Sequence, residues 1–367
     1  MTGTRGKSGV TRLVAAGLRE SGRRVLAKTT GSVPSLIRPD GSEEVIERPG
    51  PPSIREQVRL LDRAVREGAD VLVTELMSIG AECLCAESRG IVRPGLLALT
   101  NVRLDHLEAM GGMKDAVAAT LAAAFPVRAT VLVPAEEVRP AFKEAAARRR
   151  SRLVEVSAPT AGDDELPSGE FEPNVRLALA VLERAGVDRA TAVRGMRAAR
   201  PDPGGLRIWR VSVGRPPRAA FLVSAFAAND PESSSAVLES LGRLLPPAGR
   251  PRAGLLCLRE DRGDRTLQWA RAAAAGFFDG FAAVAVVGPP APAARRLFRR
   301  ELGARFGTFF FEAAPDPASL TGRLVASAAE GGADRAGDPV VLGLGNFVGW
   351  GERFVRSWSE TGVLHGR

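Results

Sequence analysis

The sequence predicts an α/β protein made of two successive units, each a mostly parallel sheet between helices. The chain has 367 residues, which is too long for one ordinary compact core. Short, wholly apolar strand segments alternate with helical segments along most of it, a pattern typical of parallel sheets buried on both faces. RPDPGG at residues 200–205 interrupts both periodicities. We therefore expect one domain over residues 1–203 and a second over residues 204–367.

The first half begins with a predicted helix over SGVTRLVAAGLRE and a predicted strand over RRVLAKT. LIRPDGSEEVIER is predicted to be a hairpin, because Pro-Asp-Gly favours a tight turn. The following helix should begin with a capping box formed by Ser53 and Glu56. Further strands are predicted over ADVLVTEL, LLALTN, RATVLVP and RLVEVS, and further helices over MKDAVAATLAAAF, AEEVRPAFKEAAARR, NVRLALAVLERAG and ATAVRGMRAA.

The second half repeats the alternation and predicts a second, Rossmann-like α/β unit. Its strands are predicted over IWRVSV, AAFLVSAF, AGLLCLR, FAAVAVVG and PVVLGLGN. Its helices are predicted over PESSSAVLESLGRLL, DRTLQWARAAAAGFF, the segment containing RRLFRREL, DPASLTGRLVASAAE and FVGWGERFV.

Composition narrows the class of protein. The net charge of +9 favours a polyanionic partner, but nearly all of it is arginine, and basic runs are usually solvated helix faces. The absence of tyrosine and an aromatic content of 5% argue against a nucleic-acid partner, because few aromatic side chains are available among the basic residues for bases to stack on. Three cysteines do not form a disulfide framework, and no signal peptide or long apolar span is visible. We therefore predict a cytoplasmic protein.

Residues 2–8, TGTRGKS, have the composition of a phosphate-binding loop that leads into a helix. Glycines let backbone N–H groups converge on phosphate oxygens, Lys7 can reach the outer phosphates, and the Ser8 hydroxyl can bind Mg²⁺. The alternative is a simple helix-capping turn. Only Met1 and Thr2 precede the turn formed by residues 3–8, so we expect this turn to be anchored by its own helix alone, beside an unpaired sheet edge. About five aliphatic residues are expected directly upstream.

Two further candidates follow predicted strands. Glu75 ends the strand ADVLVTEL, at the sheet edge where ligands of open α/β sheets gather, and a carboxylate there can hold Mg²⁺. His106, between Asp105 and Glu108, follows the strand LLALTN and is a candidate ligand at the same edge. The alternatives are a solvent-facing glutamate and a structural histidine.

Together these motifs resemble the Mur ligase superfamily of ATP-dependent amide ligases. Within it, the chain resembles poly-γ-glutamate synthases of the CapB type, through the segments AKTTG, RPDG, IREQ, ELM, TNVRLDHLEAMG, SAFAANDPESS, LREDRGDRTLQWA and GLGNFVGWGE. The resemblance implies a P-loop-containing, Mur-ligase-like central domain followed by the Rossmann-like domain. It also implies that ATP phosphorylates a γ-carboxylate and that the amine of the next glutamate attacks the acyl phosphate.

The resemblance also assigns roles to residues. The triphosphate would be cradled by Gly3, Thr4, Arg5, Gly6, Lys7 and Ser8, and Mg²⁺ would be ligated by Ser8, Glu75 and His106. Catalysis would depend on Lys7, Glu75 and His106. From the second domain, Asn229 would face the nucleotide, and Asp261 and Arg262 would line the cleft. Residues 28–31, KTTG, would lie near phosphate or acceptor.

Two departures from the Mur pattern are visible. Ala228 stands where the Mur pattern has a histidine before the asparagine. Lys114 comes too early to be the carbamylated lysine that many Mur ligases carry, so that feature is expected to be absent.

The implied partners are glutamate, an anionic poly-γ-glutamate chain and membrane subunits that export the polymer. Association with the inner face of the membrane would then occur through those subunits.

Two alternative functions stay open at this point. One is a folylpolyglutamate- or cyanophycin-type ligase with the same chemistry. The other is a non-catalytic P-loop module that binds a nucleotide.

Overall fold

The computed structural model describes residues 1–31, 33–48, 50–157, 171–214, 217–226, 228–247, 249–331 and 337–365. The chain forms two compact units, Met1–Pro203 and Gly204–Arg367. Each unit is an α/β structure. Across the described ranges, no helix is both long and apolar enough to span a membrane.

The first unit alternates helices and strands in the predicted order. Its helices are α1 (Lys7–Glu20), α2 (Arg55–Arg66), α3 (Ala81–Cys85), α4 (Leu107–Met110), α5 (Lys114–Ala122), α6 (Pro140–Arg149), α7 (Glu172–Arg184) and α8 (Arg189–Arg197). Its strands are β1 (Val25–Thr29), β2 (Ser35–Ile37), β3 (Glu43–Val45), β4 (Val71–Thr74), β5 (Leu96–Ala98), β6 (Thr130–Pro134) and β7 (Arg152–Val156). A π-helical turn, Ala86–Val92, continues α3.

The strands of the first unit form two sheets, in the orders β3-β2-β1-β4 and β5-β6-β7. β1 is parallel to β4, with Ala27 opposite Val73, whereas β2 and β3 form the predicted antiparallel hairpin. β5, β6 and β7 are parallel. Helix α1 is buried along most of its length, because glycines allow close packing on α7 and α8; a Cβ on Gly17 would lie 2.4 Å from Leu182.

Met1 and Thr2 lie between the two sheets and bond to both. The Thr2 N–H donates to the carbonyl of Ala98 at 2.9 Å, and the N–H of Thr100 donates to the carbonyl of Thr2 at 3.0 Å. On the other side, the Leu76 N–H donates to the carbonyl of Met1 at 2.8 Å. The expectation that the phosphate loop is anchored only by its own helix is therefore wrong, because two residues suffice to make strand-like bonds on both sides.

The second unit contains helices α9 (Pro231–Leu244), α10 (Gly263–Ala274), α11 (Ala291–Leu302), α12 (Pro317–Gly331) and α13 (Glu352–Thr361). Its strands are β8 (Arg207–Val213), β9 (Arg218–Ser224), β10 (Arg252–Cys257), β11 (Val284–Val287), β12 (Phe309–Glu312), β13 (Val340–Gly345) and β14 (Val363–Leu364). They form one sheet in the order β12-β11-β10-β13-β9-β8-β14.

The centre of this sheet is parallel, as predicted, but one edge is not. β12, β11, β10, β13 and β9 run parallel to their neighbours, whereas β8 is antiparallel to β9 and β14 is antiparallel to β8. β9 follows β8 after a short connection, which permits a hairpin but is too short for a parallel crossover. The short strands β12 and β14 were not predicted.

Candidate functional site

The predicted phosphate loop is a tight turn that leads directly into α1. Gly6 precedes the helix with a φ of 75°, in the left-handed region that favours glycine. A Cβ on Gly6 would lie 2.6 Å from the Asn174 side chain, and one on Gly3 would lie 2.2 Å from the Thr100 hydroxyl. Both positions therefore need glycine for reasons of space as well as backbone conformation.

The loop is held by side chains that follow β5. The Asn101 Oδ1 accepts from the Thr4 hydroxyl at 2.7 Å and from the Arg5 N–H at 2.9 Å. The Asn101 Nδ2 donates to the carbonyl of Arg5 at 3.2 Å, and the Thr100 hydroxyl donates to the same carbonyl at 2.5 Å. Thr100 and Asn101 thus fix the loop conformation. The sequence placed both residues at a strand end but did not predict this role.

Lys7 folds back over the loop. Its Nζ donates to the carbonyl of Gly3 at 2.7 Å. Burial lowers the pKa of Lys7, and the negative charges of Glu75 and Asp105 oppose that change, since both carboxylates lie in its electrostatic neighbourhood. The Lys7 ammonium group is therefore held against the backbone of the loop, at the carbonyls of Gly3 and Thr4.

Glu75 is fixed at the end of β4. Its side chain is 1% exposed, and its two carboxylate oxygens accept from the Thr30 N–H at 3.0 Å and from the Thr30 hydroxyl at 2.7 Å. β1 and β4 are adjacent parallel strands, so Thr30 and Glu75 follow them at the same edge of the sheet. Thr30 belongs to the KTTG segment, so this segment contacts the predicted metal-binding carboxylate.

A buried polar network supports the turn after β4. The Gln57 amide donates to the backbone carbonyl of Glu75 at 2.8 Å and to the Glu87 carboxylate at 2.7 Å. Glu87 also accepts from the N–H groups of Met77 and Ser78. A buried carboxylate needs such donors, because burial of an unbonded charge is costly. Glu87 was missed as a site-supporting residue because a glutamate within a helical segment has no distinguishing local pattern.

His106 and Ser8 lie near the loop by different routes. The His106 Nε2 is 3.8 Å from Asp105 Oδ2, and that carboxylate pairs with Arg5 of the loop at 3.1 Å. Ser8 is buried in the first turn of α1, and a Cβ on Gly31 would lie 2.4 Å from its hydroxyl oxygen. Ser8 therefore faces the KTTG segment, which also contacts Glu75.

Lys28, which was predicted to lie near phosphate or acceptor, forms an ion pair with Glu56. It is 2% exposed, and its Nζ pairs with Glu56 Oε2 at 2.9 Å. Arg48 donates to both oxygens of Glu56. Burial by itself would raise the pKa of Glu56, but the bonds from Arg48 and Lys28 outweigh it and lower that pKa to about 2. The capping box is weak, since the Ser53 N–H contacts Glu56 only at 3.5 Å.

The residues predicted in the second unit gather around the start of α10. The backbone carbonyl of Asn229 accepts from the Arg265 guanidinium at 2.9 Å and from the Trp269 indole at 3.3 Å, and the Asn229 side chain also accepts from Arg265. The two carboxylate oxygens of Asp261 accept hydrogen bonds from the Nε and Nη2 of Arg259. Arg262 directly precedes helix α10. These contacts order the strand-to-helix turns of the unit.

Comparison with protein families agrees with this architecture. The Mur ligase middle domain family matches residues 1–171, and the family "Poly-gamma-glutamate synthase CapB C-terminal domain" matches residues 211–361. Among solved structures, the chain superposes on folylpolyglutamate synthase from Mycobacterium tuberculosis with a TM-score of 0.67 and 17% identity, covering 94% of this chain and 87% of that one. MurF from Acinetobacter baumannii gives 0.64 and 15%, covering 98% and 76%. These similarities confirm the predicted fold class.

Two curated relatives are closer in sequence. Capsule biosynthesis protein CapB of Bacillus anthracis is 33% identical over 276 residues, which is 74% of this chain and 59% of that protein. PGA synthase CapB of Bacillus subtilis (strain 168) is 32% identical over 275 residues, or 74% of this chain and 69% of that protein. The matched ordering of two domain families and these identities confirm the predicted relationship: the chain belongs to the CapB family of poly-γ-glutamate synthases in the Mur ligase superfamily.

Proposed function

We propose that the chain is an ATP-dependent amide ligase that joins glutamate units through their γ-carboxylates. The support is membership of the CapB family, together with one structural observation. The glycine-rich loop is bonded to Asn101, and its Ser8 faces the KTTG segment, whose Thr30 donates to both carboxylate oxygens of Glu75. The folylpolyglutamate synthases of Mycobacterium tuberculosis share the fold at 17–19% identity, so the likeness to them carries no argument about substrate.

The proposed reaction has two steps. A glutamate γ-carboxylate is a poor electrophile, so one of its oxygens first attacks the γ-phosphorus of ATP, and ADP leaves. The amine of the next glutamate then attacks the acyl carbon, an amide bond forms, inorganic phosphate leaves and the amine proton passes to solvent. Catalysis by the protein consists mainly of neutralising negative charge and aligning the reactants.

The loop residues would supply the first of these effects. Backbone N–H groups at the start of α1 point toward an anion bound in the turn, and the helix dipole adds to the attraction. Lys7 would exchange its bond to the Gly3 carbonyl for a phosphate oxygen. The proposed cradle comprises Gly3, Thr4, Arg5, Gly6, Lys7 and Ser8, and Lys7, Glu75 and His106 are the proposed catalytic residues.

The proposed ligands of Mg²⁺ are Ser8, Glu75 and His106, of which the hydroxyl and carboxylate oxygens are the donors that Mg²⁺ prefers. Within the described part of the chain, no group of three or more His, Cys, Asp and Glu side chains is arranged to hold a metal. Mg²⁺ commonly takes only one or two carboxylates and completes its shell with phosphate oxygens and water, so Ser8 and Glu75 fit that habit. When bound, the ion would neutralise charge on the phosphates.

In the second unit, Asn229, Asp261 and Arg262 are the proposed nucleotide-binding residues. This assignment is proposed from the family motifs. The proposed partners are glutamate, the growing poly-γ-glutamate chain and membrane subunits of an export complex. The proposed location is the cytoplasm, with peripheral attachment through those subunits. A net charge of +9 would attract the anionic product at low salt.

The test is release of phosphate and formation of polymer by the purified chain with ATP, Mg²⁺ and D- or L-glutamate, without folate. We expect Lys7→Ala and Glu75→Ala each to lower turnover by roughly 100-fold or more, because each removes a charge held at the phosphates. Lys143→Ala is the matched control, since the Lys143 side chain is 65% exposed and pairs only loosely with Glu155. Phosphate release that does not depend on glutamate would contradict the proposal, as would undiminished turnover by Lys7→Ala.

A further inference from the structure

A charged pocket lies on the first unit, between α1, the β2–β3 hairpin and the segment after α8. Its volume is about 260 Å³. Its charged lining consists of Arg12, Arg19 and Arg200 together with Asp40 and Glu43. One positive charge is therefore in excess in a small space, which favours an anionic ligand.

Arg12 forms the buried part of this pocket. It is 3% exposed, and its Nη1 donates to Glu43 Oε1 at 2.6 Å. Its Nε and Nη2 are also buried, and among the described residues neither finds an acceptor. Buried donors are nearly always bonded in native proteins, and one left unbonded is costly. Two such donors on one guanidinium are placed to pair with an acceptor that carries more than one oxygen.

Arg19 lies two helical turns after Arg12 on the same face of α1. Its Nη1 is likewise buried, with no acceptor in the described part of the chain. Gly41, at the tip of the hairpin, lies against it: a Cβ there would be in ordinary contact with the Arg19 Nε, at 3.6 Å. Burial lowers the pKa of Arg19; Glu43 and Asp40 oppose that change, and Arg200 adds to it.

We propose that this three-arginine pocket binds a carboxylate of a glutamyl unit, either free glutamate or a residue of the γ-linked chain. The naming of glutamate rests on the proposed function, whereas the anion site rests on the pocket alone. Planar guanidinium groups pair with carboxylates through two parallel hydrogen bonds. The two carboxylates in the lining leave a single excess charge, which suits a carboxylate better than a multiply charged phosphate. Pockets for drug-sized ligands have volumes of about 300–1,000 Å³. The smaller volume of this pocket suits a ligand of amino-acid size.

The pocket lies on the same helix as the phosphate loop, which suggests what the binding would do. Arg12 lies a little over one helical turn after Lys7, on the helix that begins at the phosphate loop. A glutamyl unit held by Arg12 would keep an anionic chain beside that helix. The pocket would then retain the polymer between additions.

Calorimetric titration of the full chain, without ATP, tests the proposal. The probes are a γ-linked glutamate trimer, free D- and L-glutamate, and inorganic phosphate. The variants are Arg19→Gln and Arg200→Gln, with Arg194→Gln on α8 as the matched control, because Arg194 pairs with Glu20 and does not line the pocket. Thermal unfolding and affinity for a non-hydrolysable ATP analogue report whether each variant is folded.

We expect the trimer to bind and its affinity to fall roughly tenfold in Arg19→Gln and Arg200→Gln, but not in Arg194→Gln. Trimer binding tighter than glutamate binding would support the chain as the source, and equal binding would support the free amino acid. Absence of binding by every glutamyl probe, unchanged affinity in both variants, or binding of phosphate alone would each overturn the proposal. Because ATP is left out, loss of ligase activity would not affect this result.

Discussion

The candidate residues of the two units are held in contrasting ways. In the first unit, Asn101 reaches the phosphate loop from 96 positions along the chain, so the loop is shaped by contacts between distant segments. In the second unit, Asp261 pairs with Arg259 only two residues away, and Asn229 bonds to the neighbouring helix α10. The first arrangement fixes the conformation of the loop through long-range bonds, whereas the second orders turns next to α10. Substitutions should therefore affect binding in the first unit more than in the second.

The ion pairs of the two units differ in the same sense. Lys28 and Glu56 join β1 to α2 through a pair whose side chains are 2% and 15% exposed. The Asp261 side chain is 60% exposed in its pair with Arg259. Water screens the exposed pair, whereas removing one partner of the buried pair leaves a charge uncompensated. The two pairs therefore offer a matched test of what burial contributes.

Among the substitutions that test this contrast between the units, Asn101→Ala has the largest expected effect. The substitution removes both bonds that its Oδ1 accepts and the one that its Nδ2 donates, and it leaves the Arg5 N–H without that acceptor. We expect affinity for an ATP analogue to fall roughly 10- to 100-fold, measured by calorimetry. Lys143→Ala is the surface control. An Asn101→Ala protein that binds the analogue like the parent would show that the loop does not need this support.

A smaller effect, and one that depends on pH, is expected for Glu56→Gln. The pKa of Glu56 is lowered from 4.5 to about 2 in the folded protein, so the pair stabilises the fold above pH 4.5 and loses its effect as pH falls toward 2. We expect Glu56→Gln to lower the free energy of unfolding by about 3 kcal/mol near neutral pH. Urea unfolding of both proteins should show this gap narrowing at about pH 3. A gap that does not change with pH would contradict the ion-pair interpretation.

The smallest effect is expected for Asp261→Asn. Its exposed pair with Arg259 is screened by solvent, so the free energy of unfolding should change by less than about 0.5 kcal/mol. The same urea experiment measures it beside Glu56→Gln. A loss as large as that of the buried pair would erase the contrast between the two units.

Much of the fold and part of the site could be predicted from local pattern. The strands that end at Glu75 and before Asn101 follow from short apolar runs, and the loop follows from its glycines and from a lysine in a chain with few lysines. The ends of parallel strands meet at one sheet edge, so these segments were expected to converge. The strand β8 was predicted, but its antiparallel direction was not, because an apolar strand carries no mark of its direction.

Side-chain partners could not be predicted in the same way. Lys28 was expected near phosphate, but it is buried against Glu56, because a strand's twist and its neighbouring helix decide which carboxylate is closest. The sequence around Arg12 and Arg19 gives no local signal of a pocket, which forms only where the hairpin and the segment after α8 pack against α1. Burial and distance decide such roles, and neither is encoded in a short stretch of sequence.

The sequence by itself determined most of the succession of helices and strands, the glycine-rich turn before α1 and the family, because periodicity, glycine and motif order are properties of neighbouring residues. Only the tertiary structure decided that Asn101 locks the loop, that Thr30 holds Glu75, and that three arginines share one pocket. Each of those depends on groups far apart in the chain that folding brings within hydrogen-bonding distance.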